Sequence, residues 1–302
     1  MRINGNLLKK MRKDLGISKK EFANRLFVSE RHVGRMESGQ ADINLWQFKS
    51  IMESLKLPSE DFWMLFLDTK EYESYRTYKH LKTLLRELKF EEVMDILPEF
   101  EASLLSKQSY ISQFVAYAKT RADRGMPNKQ AVEELHKVLR MSMPKYDEAK
   151  VKEYRLTYNE VSIISEIANR LSAMGEMERS INLTKDLISS RGGSRTTEED
   201  RKVLFPALFS NLGIRLGKAG RYKESLEVCN EALDISIKSN NLWLVPDILY
   251  TIASGLHKIG EGKDMYKPYL VRAYHTALAH RKTNVAETIK KDAKKSFGIK
   301  LP

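Results

Sequence analysis

The stretch GISKKEFANRLFVSERHVGRMESG, residues 16–39, decides the fold of the amino-terminal part of the chain. It predicts two short helices joined by a turn, the spacing of a helix-turn-helix. Ser18 is placed to cap the first helix in a capping box with Glu21, and Ser29 is placed to cap the second. Gly39 is placed to end the second helix in a left-handed cap. The inward positions recur at helical spacing and are Phe22, Ala23, Leu26, Val33 and Met36.

The outward face of the second predicted helix is polar and basic. It carries no large apolar side chain and consists of Glu30, Arg31, His32, Gly34 and Arg35. Such a face suits a helix that enters the major groove and meets base edges. The alternative is a small helical bundle with a charged surface, in which Arg35 pairs locally with Glu37 or Glu30. We favour DNA binding because the ordered series of caps and core positions is uncommon.

Three flanking helices complete a predicted five-helix domain. The first runs over residues 6–15, with Leu7, Leu8, Met11 and Leu15 on its inner face. Asn44 and Gln47 form a second capping box and open the fourth helix. Pro58 and Ser59 open the fifth helix, and the domain is predicted to span residues 1–67.

The segments GISKKEFANRL, VSERHVGRMESG and FKSIMESLKLPSEDF resemble the phage-repressor type of helix-turn-helix, the Xre group. One departure is Phe27, which stands where the group usually has glycine. Phenylalanine resists a positive φ, so we expect a wider turn here. The resemblance implies base contacts from Glu30, Arg31 and Arg35, and phosphate contacts from Lys19, Lys20 and Ser29. His32 is expected to face solvent near the DNA backbone.

The composition and the motifs of the chain exclude several classes of protein. The chain has 302 residues, a net charge of +12 and one cysteine, Cys229. The excess of basic over acidic residues favours polyanionic partners, and a lone cysteine excludes an internal disulfide. No signal-peptide core or membrane-length apolar run is present, so we expect a cytoplasmic protein that does not enter a membrane. No phosphate loop, nucleophile elbow or metal-ligand pattern occurs either, so we expect neither an enzyme nor a bound cofactor or metal.

Paired helices with internal repeats are predicted for residues 68–302. The clearest unit is PALFSNLGIRLGKAGRYKESLEVCNEALDIS, residues 206–236, in which small residues fall near the tetratricopeptide positions. Related units begin at residues 161 and 246, and weaker ones near Tyr75 and Ile111. Residues 191–200 have the composition of a loop. We expect an all-α fold in which these units stack into a right-handed solenoid with a concave face, closed by a basic capping helix over residues 284–297.

A helix-turn-helix followed by such an array resembles the peptide-pheromone-sensing regulators of Gram-positive bacteria, the Rgg and PlcR group. The resemblance implies a homodimer held by the repeats, a near-palindromic promoter operator, and a short signalling peptide bound on the concave face. It also implies that asparagines clamp the peptide backbone, and Asn169 and Asn211 match the expected places best. Ser165, Tyr250 and Ser254 lie on the same predicted surface. The alternative for both asparagines is a hydrogen bond to the local backbone.

The sequence therefore predicts a DNA-binding transcription regulator switched by a peptide in quorum sensing. Two alternatives stay open at this stage. In one, the repeats grip a protein partner and the chain is an adaptor. In the other, the chain binds DNA and its repeats only dimerise.

Overall fold

A computed structural model describes residues 3–56, 69–103, 109–190 and 195–302 of the chain. These residues form helices and connecting segments without any β-strand, which confirms the all-α prediction. The chain divides into two compact units, Met1–Ser112 and Gln113–Pro302. The predicted domain boundary after residue 67 and the predicted fifth helix from Pro58 lie outside the described residues.

Four short helices open the first unit, and side chains cap each of them. They are α1 (Gly5–Asp14), α2 (Lys19–Arg25), α3 (Glu30–Glu37) and α4 (Leu45–Ser54). The capping residues are Asn4, Ser18, Ser29 and Asn44. Because each cap accepts a hydrogen bond from a backbone amide in the first turn, it fixes the helix start locally. The predicted starts of α2, α3 and α4 are therefore confirmed.

A shared apolar core holds these helices together. One residue predicted to lie in it is exposed, and one predicted capping box is incomplete. Leu8, Phe22, Val33 and Met36 are fully buried in this core. Leu15 is 48% exposed, because α1 ends one residue before it. The capping box at α2 is only half formed: Ser18 accepts from the amide of Glu21 at 3.1 Å. The carboxylate of Glu21 instead accepts from the guanidinium of Arg25, the other member of an exposed ion pair.

The turn between α2 and α3 is tight, contrary to the expectation of a wider one. Phe27 adopts the left-handed conformation with φ of 53°, the region that glycine usually occupies. The amide of Phe27 donates to the carbonyl of Asn24, and the amide of Val28 donates to the carbonyl of Ala23 at 3.0 Å. These bonds close the end of α2, so the turn retains its shape although its residue is bulky. The ring of Phe27 is 93% exposed and therefore contributes little packing.

We expect Phe27→Gly to stabilise the helix-turn-helix by up to about 1 kcal/mol. The left-handed conformation costs a residue with a Cβ about 1–2 kcal/mol, from which the greater chain entropy of unfolded glycine must be subtracted. Hydrogen–deuterium exchange of α2 and α3 amides in the full chain measures the gain. Phe27→Ala is the matched control, because it removes the ring and keeps the Cβ. Equal protection in both variants would contradict the conformational explanation.

The rest of the described chain consists mainly of further helices, many of which pack against their neighbours in sequence. The first are α5 (Thr69–Arg86) and α6 (Phe90–Glu101), followed by α7 (Ser109–Ala122) and α8 (Asn128–Arg140). The later pairs are α9 (Tyr158–Ala173) with α10 (Met177–Ser189), α11 (Glu198–Lys218) with α12 (Tyr222–Lys238), and α13 (Val245–Lys258) with α14 (Lys263–Ala279). The helix α11 begins inside the stretch 191–200 that was predicted as a loop, because Thr197 caps it. Residues 191–194 lie outside the described residues.

Two of the pairs repeat the same interhelical contacts at a spacing of 45 residues. The hydroxyl of Ser180 donates to the carbonyl of Ala168 at 2.6 Å, and that of Ser225 donates to the carbonyl of Gly213 at 2.7 Å. Gly213 is required at this point, since a Cβ there would lie 2.3 Å from Sγ of Cys229. These contacts confirm the prediction that small residues let the paired helices approach closely.

A final helix, α15 (Thr283–Phe297), packs on α14 and α13 and confirms the predicted carboxyl-terminal capping helix. The hydroxyl of Tyr250 on α13 donates to the carboxylate of Asp292 on α15 at 2.5 Å. Phe297 lies edge-on to the ring of Tyr250. Among the described helices, none has the length and apolar character needed to cross a membrane.

Candidate functional sites

The outer face of α3 is a charged surface whose arginines are available for a ligand. Glu30, Arg31 and Arg35 are exposed, whereas Val33 and Met36 on the opposite face are fully buried. Arg31 and Arg35 are one helical turn apart and therefore lie side by side. Arg35 donates to the carbonyl of Gln40 at 3.3 Å. Within the described part of the chain neither arginine forms an ion pair, so the alternative pairing of Arg35 with Glu37 or Glu30 is not observed.

A buried ion pair fixes the position of α3. It was not predicted from the sequence. Nε of Arg12 on α1 donates to Oε1 of Glu37 at 2.6 Å, and Arg12 also donates to the carbonyl of Ile17 at 2.6 Å. Both side chains are almost fully buried. Gly5 permits this arrangement, because a Cβ there would lie 2.5 Å from the carbonyl oxygen of Glu37. The pair therefore ties the amino-terminal helix to the end of the predicted recognition helix.

The predicted phosphate-contacting residues occupy three different environments. Nζ of Lys19 lies 3.8 Å from Oε2 of Glu37, and its side chain is still 45% exposed. Lys20 is exposed, and within the described residues it forms no ion pair. Ser29 already accepts from the amide of His32 at 3.2 Å as the cap of α3. His32, which was expected to face solvent near the DNA backbone, is half-buried, and its Nε2 lies 3.5 Å from Nε2 of Gln47 on α4, so its ring is partly exposed to solvent.

The predicted peptide-binding residues lie on α9, α11 and α13, and α11 packs against both of the others. All five are half-buried: Asn169, Asn211, Ser165, Tyr250 and Ser254. The side chain of Asn211 forms no hydrogen bond with another described residue. The hydroxyl of Tyr250 is engaged by Asp292, and burial and that hydrogen bond both raise the pKa of Tyr250. Tyr250 therefore supports the capping helix in this structure.

Asn169 is part of a polar network between the helices. Its Nδ2 donates to Oε2 of Glu166 at 2.9 Å, and its Oδ1 accepts from Arg215 at 2.6 Å. Glu166 also forms a buried ion pair with Arg170 at 2.9 Å. The local-backbone alternative for Asn169 is therefore not what the structure shows. The amide group instead bridges a carboxylate on its own helix and a guanidinium on α11.

Arg215 is the least balanced charge in this network. Its side chain is almost fully buried, and it donates to two neutral acceptors, Oδ1 of Asn169 and Oγ1 of Thr184 at 2.7 Å. Among the described residues, no carboxylate lies within ion-pair distance of it. Burial lowers the pKa of Arg215 to about 10, while the more distant Glu166 opposes that shift. Arg215 was not among the predicted site residues, because nothing in its local sequence indicates that its charge is buried.

Two further features of the described residues concern metal ligands and the single cysteine. The described residues contain no cluster of three or more histidine, cysteine, aspartate or glutamate side chains placed to hold a metal ion. Cys229 is fully buried, and burial raises the pKa of its thiol to about 11. A thiol with that pKa is a poor nucleophile at neutral pH.

Two family profiles match separate parts of the chain. The profile of the RNPP family C-terminal domain matches residues 71–292, more than half of the chain. A helix-turn-helix profile matches residues 8–62. No curated protein matches the chain.

Solved structures share the fold over almost the entire chain. PlcR of Bacillus thuringiensis in complex with the peptide PapR7 and DNA is 18% identical, with a TM-score of 0.71, covering 96% of this chain and 99% of that one. ComR of S. thermophilus in complex with DNA and its signalling peptide ComS is 16% identical, with a TM-score of 0.59, covering 98% and 99%. The Streptococcus dysgalactiae SHP pheromone receptor Rgg2 is 14% identical, with a TM-score of 0.55, covering 96% and 98%. At these identities the likeness establishes the fold.

Proposed function

Because the chain belongs to the RNPP family, we propose that it is a sequence-specific transcription regulator, active as a homodimer and switched by a short signalling peptide. The observation that carries this proposal is that α3 presents exposed arginines without an ion-pair partner among the described residues, in a chain that also has an RNPP family C-terminal domain. The structures that share its fold include PlcR and ComR, both solved with DNA and a peptide.

In the proposed DNA complex, α3 lies in the major groove. Arg31 and Arg35 read guanine through bidentate hydrogen bonds, and Glu30 accepts from a cytosine amino group. Lys19, Lys20 and Ser29 contact phosphates and set the register without reading sequence. The contact of Lys19 with Glu37 keeps its ammonium group beside α3, where a phosphate neighbouring the groove would meet it.

In the proposed peptide complex, the ligand lies along α9, α11 and α13. Asn211 is the residue best prepared for it, because its amide both donates and accepts and has no partner among the described residues. Asn169 joins the site by exchanging its bonds to Arg215 and Glu166 for bonds to the ligand. Ser165 and Ser254 add hydroxyl groups on the same helices. Tyr250 joins only if its hydrogen bond to Asp292 breaks.

Peptide binding then changes the DNA-binding state by mass action. A peptide shifts the equilibrium between two arrangements of the dimer only by its differential affinity for them. The two α3 helices must reach half-sites about one helical turn, roughly 34 Å, or a multiple of that distance apart. We propose that the peptide favours one separation of the two helices, that the protein acts in the cytoplasm, and that it has no enzymatic step.

A two-stage experiment tests the proposal. Chromatin immunoprecipitation of the full chain identifies bound genomic fragments, and fluorescence anisotropy then measures their affinity with and without synthetic copies of each short secreted peptide that the host encodes. We expect specific binding that one peptide changes at least tenfold. Specific binding unaffected by every peptide would favour a regulator whose repeats only dimerise. Absence of specific DNA binding would favour the adaptor.

A further inference from the structure

Among the described residues, the buried guanidinium of Arg215 has no carboxylate partner, which such a group normally has in a protein interior. Buried charges are usually paired, because an isolated charge loses its hydration without compensation. Nearby Arg170 follows this rule through its ion pair with Glu166 at 2.9 Å. Arg215 is 3% exposed, and its acceptors are an amide oxygen and a hydroxyl. The site therefore has one positive charge more than its immediate partners balance.

Of the two acceptors of this charge, only Asn169 reaches solvent, because Thr184 is fully buried. Its Oδ1 occupies the place on Arg215 that a carboxylate oxygen would take, at 2.6 Å. Asn169 itself is half-buried, so the amide is reachable from solvent. The amide is a neutral group in a position where a carboxylate would balance the charge.

Polar side chains also lie one helical turn away from Arg215 and Asn169. Asn211 lies one turn before Arg215 on α11, and Ser165 lies one turn before Asn169 on α9. Both are half-buried, and the side-chain amide of Asn211 has no hydrogen-bond partner among the described residues. A carboxylate bound to Arg215 would therefore find further donors within one helical turn. A carboxylate accepts several hydrogen bonds, and an arginine binds it with fixed geometry.

We propose that Arg215, with Asn169 as the displaced group, forms a carboxylate-binding subsite, so that the signalling peptide is anchored by an acidic side chain or by its own free carboxyl terminus. This inference rests on the proposed function, since it names the chemistry of the peptide that the repeat helices accept. It also assigns Arg215 a role besides cross-linking α9, α10 and α11. Binding would supply the missing counter-ion and hold α9 and α11 together.

Peptide libraries test this inference on the unaltered protein. The probes are two positional-scanning heptapeptide libraries, one with free carboxyl termini and one with amidated termini, in which Asp or Asn is fixed at each position in turn. Affinity for the full-length chain is measured by fluorescence competition. If a side chain is the anchor, Asp exceeds Asn about 10- to 100-fold at one position, the range of a charge-assisted hydrogen bond. If the terminus is the anchor, amidation causes a similar loss at every position.

Variants of the chain then test whether Arg215 is the source of the preference for a carboxylate. Arg215→Gln should remove the discrimination, whereas Arg215→Lys should retain part of it, because lysine keeps the charge and loses the fork geometry. Lys218→Gln is the matched control, since it removes a positive charge from an exposed position on the same helix. If Arg215→Gln does not fold, as judged by circular dichroism, the comparison of Arg215→Lys with wild type still decides.

The outcomes separate this inference from the proposed function. Peptide binding without any carboxylate preference, or with a preference that Arg215→Lys leaves entirely unchanged, would overturn the subsite and leave peptide sensing intact. Failure of both libraries to bind the wild-type chain would overturn peptide sensing together with the subsite. A preference abolished in Arg215→Gln and retained in Lys218→Gln would establish the site.

Discussion

Replacing Arg31 with alanine is expected to abolish the preference of this chain for its operator while leaving weak nonspecific binding. Arg31 is exposed on the outer face of α3 and forms no ion pair with the described residues, so it has no competing structural task. Each bidentate arginine–guanine contact discriminates by about 1–3 kcal/mol. In a homodimer the contact occurs twice, which gives about 2–6 kcal/mol, or roughly 30- to 10⁴-fold.

The measurement is the ratio of affinities for operator and scrambled DNA at one salt concentration, with phosphate and base contacts distinguished by variant. Lys20→Ala should weaken both affinities alike and flatten the salt dependence, because a phosphate contact contributes through counter-ion release. Lys10→Ala, an exposed charge on α1, controls for the change in net charge. An undiminished ratio in Arg31→Ala would remove this residue from the base-reading surface.

The sequence was sufficient to predict the features that depend on residues close to one another along the chain. The caps at Ser18, Ser29 and Asn44 were predictable because the side chain bonds an amide only three residues away. The repeat spacing was predictable for a related reason, since small residues such as Gly213 recur where helices must approach. These features fix the elements and their pairing.

Contacts between distant residues were not predictable in the same way. Arg12 and Glu37 are 25 residues apart, and each reads locally as an ordinary surface charge. The link between Asn169 and Arg215 requires knowledge of which helices pack together, which the periodicity of a single helix does not contain. The prediction of a wider turn at Phe27 was wrong for a different reason. The backbone hydrogen bonds at the end of α2 hold Phe27 in the left-handed conformation, against the intrinsic preference of a residue with a bulky side chain.

Replacing Glu37 with alanine is expected to destabilise the helix-turn-helix by about 3–5 kcal/mol. The change leaves the guanidinium of Arg12 buried without a carboxylate, and removing one member of a buried ion pair has this cost. Glu53→Ala is the matched control. It removes the acidic member of an exposed pair, with Lys49 Nζ 3.9 Å away, and should change stability by less than about 1 kcal/mol.

A compensating variant separates the charge effect from the loss of packing. In Arg12→Met with Glu37→Leu, no charge is buried, so most of the lost stability should return, because apolar replacements of a buried pair are often neutral or stabilising. Hydrogen–deuterium exchange of α1 and α3 amides in the full chain reports the stability of this region for each variant. If the double variant were no more protected than Glu37→Ala, the unpaired charge would not be the cause. In that event the pair would act through its hydrogen bonds, including the one from Arg12 to the carbonyl of Ile17, which holds the segment leading into α2.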